Sequence, residues 1–206
     1  MDYKKPKLLL HACCGVCGSW IPQKLGRDFK VAPYFFNPNI WPEEEYERRL
    51  GAAWQVAKNL SLQLIEGEYE PQRWFEAVRG REQDHEGGER CEICFGYRLR
   101  ETAKYAKECG FEFFATTLTI GRNKRAAVIN PIGEKWAKHF GIKFLVCDFK
   151  KDGGQERTRE EARRLNLYRQ NYCGCAYSAN RNMDECRELT KSRSSGEVRL
   201  KEVSHG

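Results

Sequence analysis

Seven of the ten cysteines fall into three tight groups. Cys13, Cys14 and Cys17 form C-C-G-V-C, Cys91 and Cys94 form C-E-I-C, and Cys173 and Cys175 form C-G-C. Thiolates are soft donors, and such short spacings let neighbouring sulfurs converge on one inorganic centre. Four thiolates satisfy a single structural zinc or one [4Fe–4S] cluster. Seven exceed either, which points to a cluster with a second metal or to a cluster with a chemically open position. Cys109, Cys147 and Cys186 stand alone, at an expected helix end, inside an apolar run and in a polar tail. They read as small hydrophobes or incidental thiols.

Two other chemistries compete for the same residues. Cys14-Gly15-Val16-Cys17 has the spacing of a thiol–disulfide oxidoreductase pair, whose thiol pKa a helix start would lower. That reading leaves Cys91, Cys94, Cys173 and Cys175 without a role. It also lacks the tryptophan that normally precedes such a motif and an obvious downstream cis-proline loop. A zinc-stabilised RNA-binding module is the non-enzymatic alternative, and it predicts a chain that unfolds with a chelator.

Bulk properties narrow the class. The 206 residues suit one domain, and at 40% hydrophobic content the chain can bury an ordinary core. No run approaches the ~18 apolar residues of a membrane span, and the apolar stretch in MDYKKPKLLLHACC is too short for a signal peptide. The expectation is a soluble cytoplasmic protein with reduced thiols and no membrane partner. The balance of 36 basic to 29 acidic residues, a formal +7 with no polybasic block, permits a polyanionic partner without requiring one. No P-loop or G-x-G-x-x-G fingerprint occurs, so no nucleotide cofactor is expected.

Bringing the three cysteine loops together requires particular elements. Lys7–His11 reads as a buried strand running into the first cysteines, Gly18–Arg27 as a helix, and Val31–Ile40 as a strand leaving through an Asn-Pro-Asn turn. Pro42 followed by Glu43, Glu44 and Glu45 starts a helix whose apolar face is Tyr46, Leu50, Ala53, Trp54, Ala57 and Leu60. Strands are expected at Leu62–Tyr69, Phe111–Ile120 and Ile142–Phe149. Helices are expected just after Pro71, over Cys91–Cys109 with Gly110 as its stop, at Glu134–Phe140 and at Gln155–Leu165. Arg79–Glu89 should be an exposed loop. Strands alternating with helices predict an α/β, Rossmann-like, mostly parallel sheet flanked by helices. Its loops after the strands' carboxyl ends form one edge, where the metal site should lie. We expect residues 1–183 to form this single domain and residues 184–206 a charged, mobile tail.

The ordered motifs HACCGVC, FFNPNIWPEEEYERR, ERCEICFGYRLRETAKYAKECGF, TTL, FLVCDFKK and LYRQNYCGCAYS resemble the QueH-type, cobalamin-independent epoxyqueuosine reductases from about Leu8 to Ser178. Two departures stand out: Val16 sits where the family usually has proline, and IGRNK replaces a more usual Ser-Pro-containing segment. The resemblance implies reduction of epoxyqueuosine to queuosine at the wobble position of a tRNA, with an external electron donor. It also implies a [4Fe–4S] cluster beside a further, mononuclear iron, held by Cys13, Cys14, Cys17, Cys91, Cys94, Cys173 and Cys175. Aspartate in some members at the place of Cys17 associates that thiolate with the separate iron.

Removing an epoxide oxygen takes two electrons, two protons and stabilisation of the departing oxygen. An open iron would act as Lewis acid while the cluster relays electrons. His11, Tyr168 and Tyr172 are the proton-donor candidates, His11 being equally suited to hold other groups in place. Presenting a splayed anticodon nucleotide calls for basic and aromatic contacts. Arg90, Arg98, Arg122, Lys124, Arg125 and Arg169 are the candidate phosphate contacts, and Tyr34, Tyr168 and Tyr172 the candidate stacking platforms. Asp148, at a strand end, would orient a ligand or cap its loop.

Overall fold

The computed structural model describes residues 5–178. Its centre is Lys7–His11 (β1), whose Leu8, Leu9 and Leu10 are completely buried, as expected for a strand covered on both faces. β1 pairs in parallel with Lys30–Phe35 (β2) on one side and Phe113–Thr116 (β4) on the other. Ile65–Glu66 (β3) extends the sheet beyond β2, and Lys143–Phe144 (β5) extends it beyond β4. The order β3-β2-β1-β4-β5 is wholly parallel, and its direction of growth reverses between β1 and β4. The crevice at the carboxyl ends beside such a reversal is where doubly wound sheets form their sites. The α/β, Rossmann-like expectation holds.

Helices supply the crossovers: Gly15–Gly18 (α1), Ile21–Leu25 (α2), Glu43–Asn59 (α3), Pro71–Ala77 (α4), Glu89–Glu108 (α5), Ala126–Phe140 (α6) and Gly154–Arg164 (α7). One face of the sheet packs Leu9 and Phe114 against Phe95, Leu99 and Ala103 of α5 and Ile129 of α6. The other packs Leu8, Leu10 and Ala115 against Ile21 and Phe149. The acids Glu43, Glu44 and Glu45 fill the first turn of α3, favourable at the positive end of its dipole.

Several boundaries differ from expectation. In place of one helix over Gly18–Arg27 the chain forms two short ones, Gly15–Gly18, capped by the Cys14 sulfur, and Ile21–Leu25, with Pro22 in its first turn. β2 stops at Phe35 because Asn37, Pro38 and Asn39 form a buried turn, with Asn37 Nδ2 donating to Ala12 O at 2.9 Å. At the two sheet edges, only Ile65–Glu66 and Lys143–Phe144 of the longer apolar runs find a strand partner. β4 gives way after Thr116 to a 3-10 turn, Thr117–Ile120, capped by the Thr116 hydroxyl. Helix α6 begins eight residues before Glu134. Its Pro131 is exposed, as is Ala127, whose carbonyl that proline cannot pair with and water can reach. Trp54 is 45% exposed, on the flank of the face formed by Tyr46, Leu50, Ala53 and Ala57. A cis peptide joins Trp41 to Pro42, a cis-proline that sequence reading had not found. Among the described residues no helix is long and apolar enough to cross a membrane. The tail expected over 184–206, with Cys186, lies outside the described residues.

Candidate metal centre

The strand β1 ends at His11, and the chain then turns through Cys13 and Cys14 into α1. The sulfurs of Cys13, Cys14 and Cys17 lie within 4.8 Å of one another. Local bonds fix them. Cys14 Sγ accepts the Cys17 N–H at 3.2 Å. The Thr117 hydroxyl donates to Cys13 Sγ at 3.3 Å and accepts the Cys13 N–H at 3.0 Å, tying the loop to the end of β4. Gly15 admits α3 to this turn, since a Cβ there would stand 2.6 Å from the Ala52 backbone.

Cys91 and Cys94 occupy the first turns of α5, and both are buried. The Cys91 sulfur accepts the Gly87 N–H at 3.2 Å. Cys94 shares an apolar cluster with Trp74, Val78 and Cys175. The Cys173-Gly174-Cys175 loop is pinned to α3: Arg49 donates to Cys173 O at 2.9 Å and to Tyr172 O at 3.2 Å, and Trp41 N donates to Gly174 O at 2.9 Å. Arg49 is itself paired with Glu45 at 2.7 Å, both side chains buried.

The electrostatics suit a cation. All nine described cysteines are free thiols. Hydrogen bonds from Cys14 and Cys17 hold the Cys13 thiol well below its ordinary value, while the same sharing pushes Cys14 up to about 11 and raises Cys17 well above the ordinary thiol value. Burial raises Cys91 and Cys94, and pushes Cys175 up to about 11; the field of Cys173 adds to all three. So many buried thiols cannot all ionise unaided, and a metal is what lets them. The softness of the donors and their burial fit iron, and the four further thiols of Cys91, Cys94, Cys173 and Cys175 match the number an iron–sulfur cluster takes.

The other expected site residues are distributed as follows. His11 is fully buried, its Nε2 on Phe36 O at 3.1 Å and its Nδ1 on Thr116 Oγ1 at 2.9 Å. The carbonyl must accept, so Nε2 carries the proton and Nδ1 accepts from the threonine. Burial, reinforced by Arg98, lowers its pKa to about 3, which keeps the imidazole neutral. Tyr34 lies in the core, stacked between Tyr105 and Phe36 at 4.8 and 5.9 Å, so neither face is free for a base. Arg90 is also buried rather than facing a phosphate; it donates to the carbonyls of Arg81 and Glu82 and lies over the Tyr177 ring. Arg98 is buried on α5, and Lys124 is partly buried in the turn before α6. Arg122, Arg125 and Arg169 are exposed. Tyr168, 37% exposed, donates to Glu45 at 2.7 Å; Tyr172 donates to Trp41 O at 2.8 Å, with Arg49 over its ring. Asp148 caps its own loop by accepting the Lys150 N–H at 3.2 Å.

Sequence reading did not single out Asn37, Glu45, Arg49 or Thr117. The four-residue spacing of Glu45 and Arg49 signals their pairing, and the Asn-Pro-Asn turn signals Asn37. Nothing local distinguishes Thr117 from the two other threonines beside it.

Comparison with known proteins agrees with this geometry. Curated relatives named epoxyqueuosine reductase QueH include those of Streptococcus pyogenes serotype M1 (39% identical over 181 residues, 85% of this chain and 71% of the relative) and Staphylococcus epidermidis (36% over 198 residues, 92% and 83%). The Thermotoga maritima relative is 35% identical over 192 residues, covering 90% of this chain and 97% of its own length. Among solved structures, the U34-tRNA thiolase NcsA from Methanococcus maripaludis with its [4Fe-4S] cluster shares the fold with a TM-score of 0.52. That similarity has 14% sequence identity and covers 92% of this chain and 66% of the thiolase. The family profile described as epoxyqueuosine reductase QueH matches residues 8–181, and with such relatives over most of its length the chain belongs to that family.

Proposed function

We propose that this chain is an epoxyqueuosine reductase that converts epoxyqueuosine at the wobble position of a tRNA to queuosine, in the cytoplasm and without cobalamin. The observation carrying this reading is the convergence of the Cys13, Cys14 and Cys17 sulfurs after β1, beside the sheet's reversal point, with Cys94 and Cys175 sharing a second buried cluster, in a member of the QueH family. The reaction takes two electrons and two protons and releases the epoxide oxygen as water. The bound metals supply one-electron relay and Lewis acidity; the electrons come from an external donor.

The chain's own residues divide the work. Three sulfurs converging within 4.8 Å suit a single ion, because a cuboid cluster holds its thiolates farther apart than one ion does. We therefore assign Cys13, Cys14 and Cys17 to the mononuclear iron, which would supply Lewis acidity to the epoxide oxygen. Cys91, Cys94, Cys173 and Cys175 supply the four thiolates of a [4Fe–4S] cluster. His11 serves as a positioning residue, since both its nitrogens are committed to holding the ends of β1, β2 and β4 in register. Tyr168 is the proton donor of choice: the residue is 37% exposed and its hydroxyl's bond to Glu45 can be remade after transfer. Arg122, Arg125 and Arg169 are exposed and take the tRNA phosphates.

Anaerobically purified protein tests this reading by its iron and acid-labile sulfide content, its visible spectrum, and turnover of tRNA carrying epoxyqueuosine. The expected result is brown protein with four sulfides per chain, iron in excess of four, and queuosine as product. Colourless protein with stoichiometric zinc and no sulfide after iron–sulfur reconstitution overturns it. Cys94→Ala separates the readings further: it abolishes reductase activity, whereas it would spare a Cys14/Cys17 oxidoreductase and unfold a zinc module.

A further inference from the structure

Two cations, Arg98 buried and Lys124 partly buried, lie near this site without a carboxylate. Arg98 projects from α5 with 2% of its surface exposed. Its Nη1 donates to Asn37 Oδ1 at 3.1 Å, while Nε and Nη2 have no hydrogen-bond partner among the described residues. Asn37 is neutral, and its amide is already committed to Ala12 O, one residue before Cys13. Lys124 arrives from the turn before α6. Gly121 leaves room for its stem, since a Cβ there would come within 3.0 Å of Lys124 Cδ. Among the described residues no carboxylate pairs with either side chain and the Lys124 ammonium makes no hydrogen bond.

A buried charge without a counter-charge is strongly destabilising, so Arg98 must answer to something else in the site. The thiols are its neighbours: Arg98 lies one helical turn after Cys94, and Asn37 ties it to Ala12, next to Cys13. Burial alone would loosen the Arg98 proton; Cys94, Cys13, Cys173 and Cys91 more than reverse that. Lys124 is held protonated against its own burial by Cys173, Cys13 and Cys17. Cys13 and Cys173 act on both cations, one from each thiol group.

We propose that Arg98 and Lys124 are shared counter-ions of the two cysteine groups, positioning residues that set the charge and hence the reduction potential of the metal centre, and not contacts to tRNA phosphate. This rests on the site holding an iron–sulfur cluster. A cation fixed beside a redox centre favours its more negative, reduced form, and net charge is one of the levers that set cluster potentials. Inward burial also removes Arg98 from any phosphate outside.

The test uses full-length, anaerobically reconstituted wild type, Arg98→Met, Arg98→Lys, Lys124→Met and Lys124→Arg. The readouts are an EPR-monitored potentiometric titration and tRNA binding over a range of salt. Each methionine variant is expected to disfavour cluster reduction about tenfold, roughly 59 mV for a one-electron couple. The charge-keeping variants should stay close to wild type, and the salt dependence of tRNA binding should not change. Should Arg98→Met fail to fold, Lys124→Met, in a partly exposed turn, carries the test. Unchanged potentials in methionine variants with full sulfide content overturn the counter-ion role, as does a salt slope reduced by about one with the potential intact, which marks a phosphate contact. Wild type that takes up no sulfide refutes the cluster reading itself, and the counter-ion role falls with it.

Discussion

Arg49 gathers four groups that are distant in sequence. Its guanidinium reaches the carbonyls of Tyr172 and Cys173, pairs with Glu45 and covers the Tyr172 ring. Replacing it with methionine strands Glu45, 4% exposed, with only the Tyr168 hydroxyl bond and the distant Arg48 contact left. Breaking a buried pair in this way typically costs about 3–5 kcal/mol. We expect Arg49→Met to lose stability of that order in urea unfolding, and to retain less sulfide after reconstitution because the Cys173–Cys175 loop is released. Tyr168→Phe removes a hydroxyl that donates to the buried Glu45 carboxylate, a bond to a charged group, and should cost about 1.5–3 kcal/mol. With tRNA carrying epoxyqueuosine, kcat should fall while cluster content stays at the wild-type level; unchanged kcat would remove Tyr168 as proton donor.

At the scale of elements, two of the three cysteine loops depend on close approaches that only glycine allows. Gly174 has φ of +113°, and a Cβ on it would come within 2.5 Å of Arg49 Nη1. Gly174→Ala therefore combines backbone strain with loss of the Arg49 anchor and should destabilise by about 1–3 kcal/mol. Gly15 has ordinary backbone angles but no room, because α1 rests directly on the Ala52 backbone of α3. Gly15→Ala should force those helices apart, again at about 1–3 kcal/mol. The two variants differ in what they release: Gly174→Ala the loop of Cys173 and Cys175, Gly15→Ala the turn of Cys13, Cys14 and Cys17. Thermal melts of both, read beside iron and sulfide content, check this. A melt within a degree of wild type for either would show that the neighbouring backbone yields easily.

For the whole molecule, the proposed metal ligands come from the junctions that follow β1, open α5 and form the final loop held by α3. Metal ligands that do not meet in the unfolded chain turn metal affinity into folding stability. Stripping the metals with a chelator should lower the thermal midpoint and loosen the described C-terminal loop first, while β1, β2 and β4 persist; hydrogen exchange of the 168–178 segment against the Leu8–Leu10 amides measures this. The charge of +7 acts at the same scale. Replacing exposed Arg122, Arg125 or Arg169 singly should weaken tRNA binding and reduce its salt slope by about one each. Variants of buried Arg90 should instead unfold the 79–88 loop.

Local chemistry made much of this protein legible in its residues. KLLLH reads as a buried strand, Pro42 with three glutamates opens a helix, and seven thiols in three short motifs point to a metal site. Alternating strand and helix patterns then imply a parallel sheet with its loops at one edge. Tertiary structure decided what spacing cannot express. Tyr34 is as aromatic as Tyr168, yet cross-strand position places one between two rings and the other at the surface. Arg90, Arg98 and Arg122 share a charge, but helix phase turns the first two inward while the third stays in solvent. Edge strands ended early because a run of apolar residues becomes a strand only as far as a neighbour offers it backbone partners. Sequence types supplied the donors and the charges; burial and long-range contacts chose which of them face the metal site.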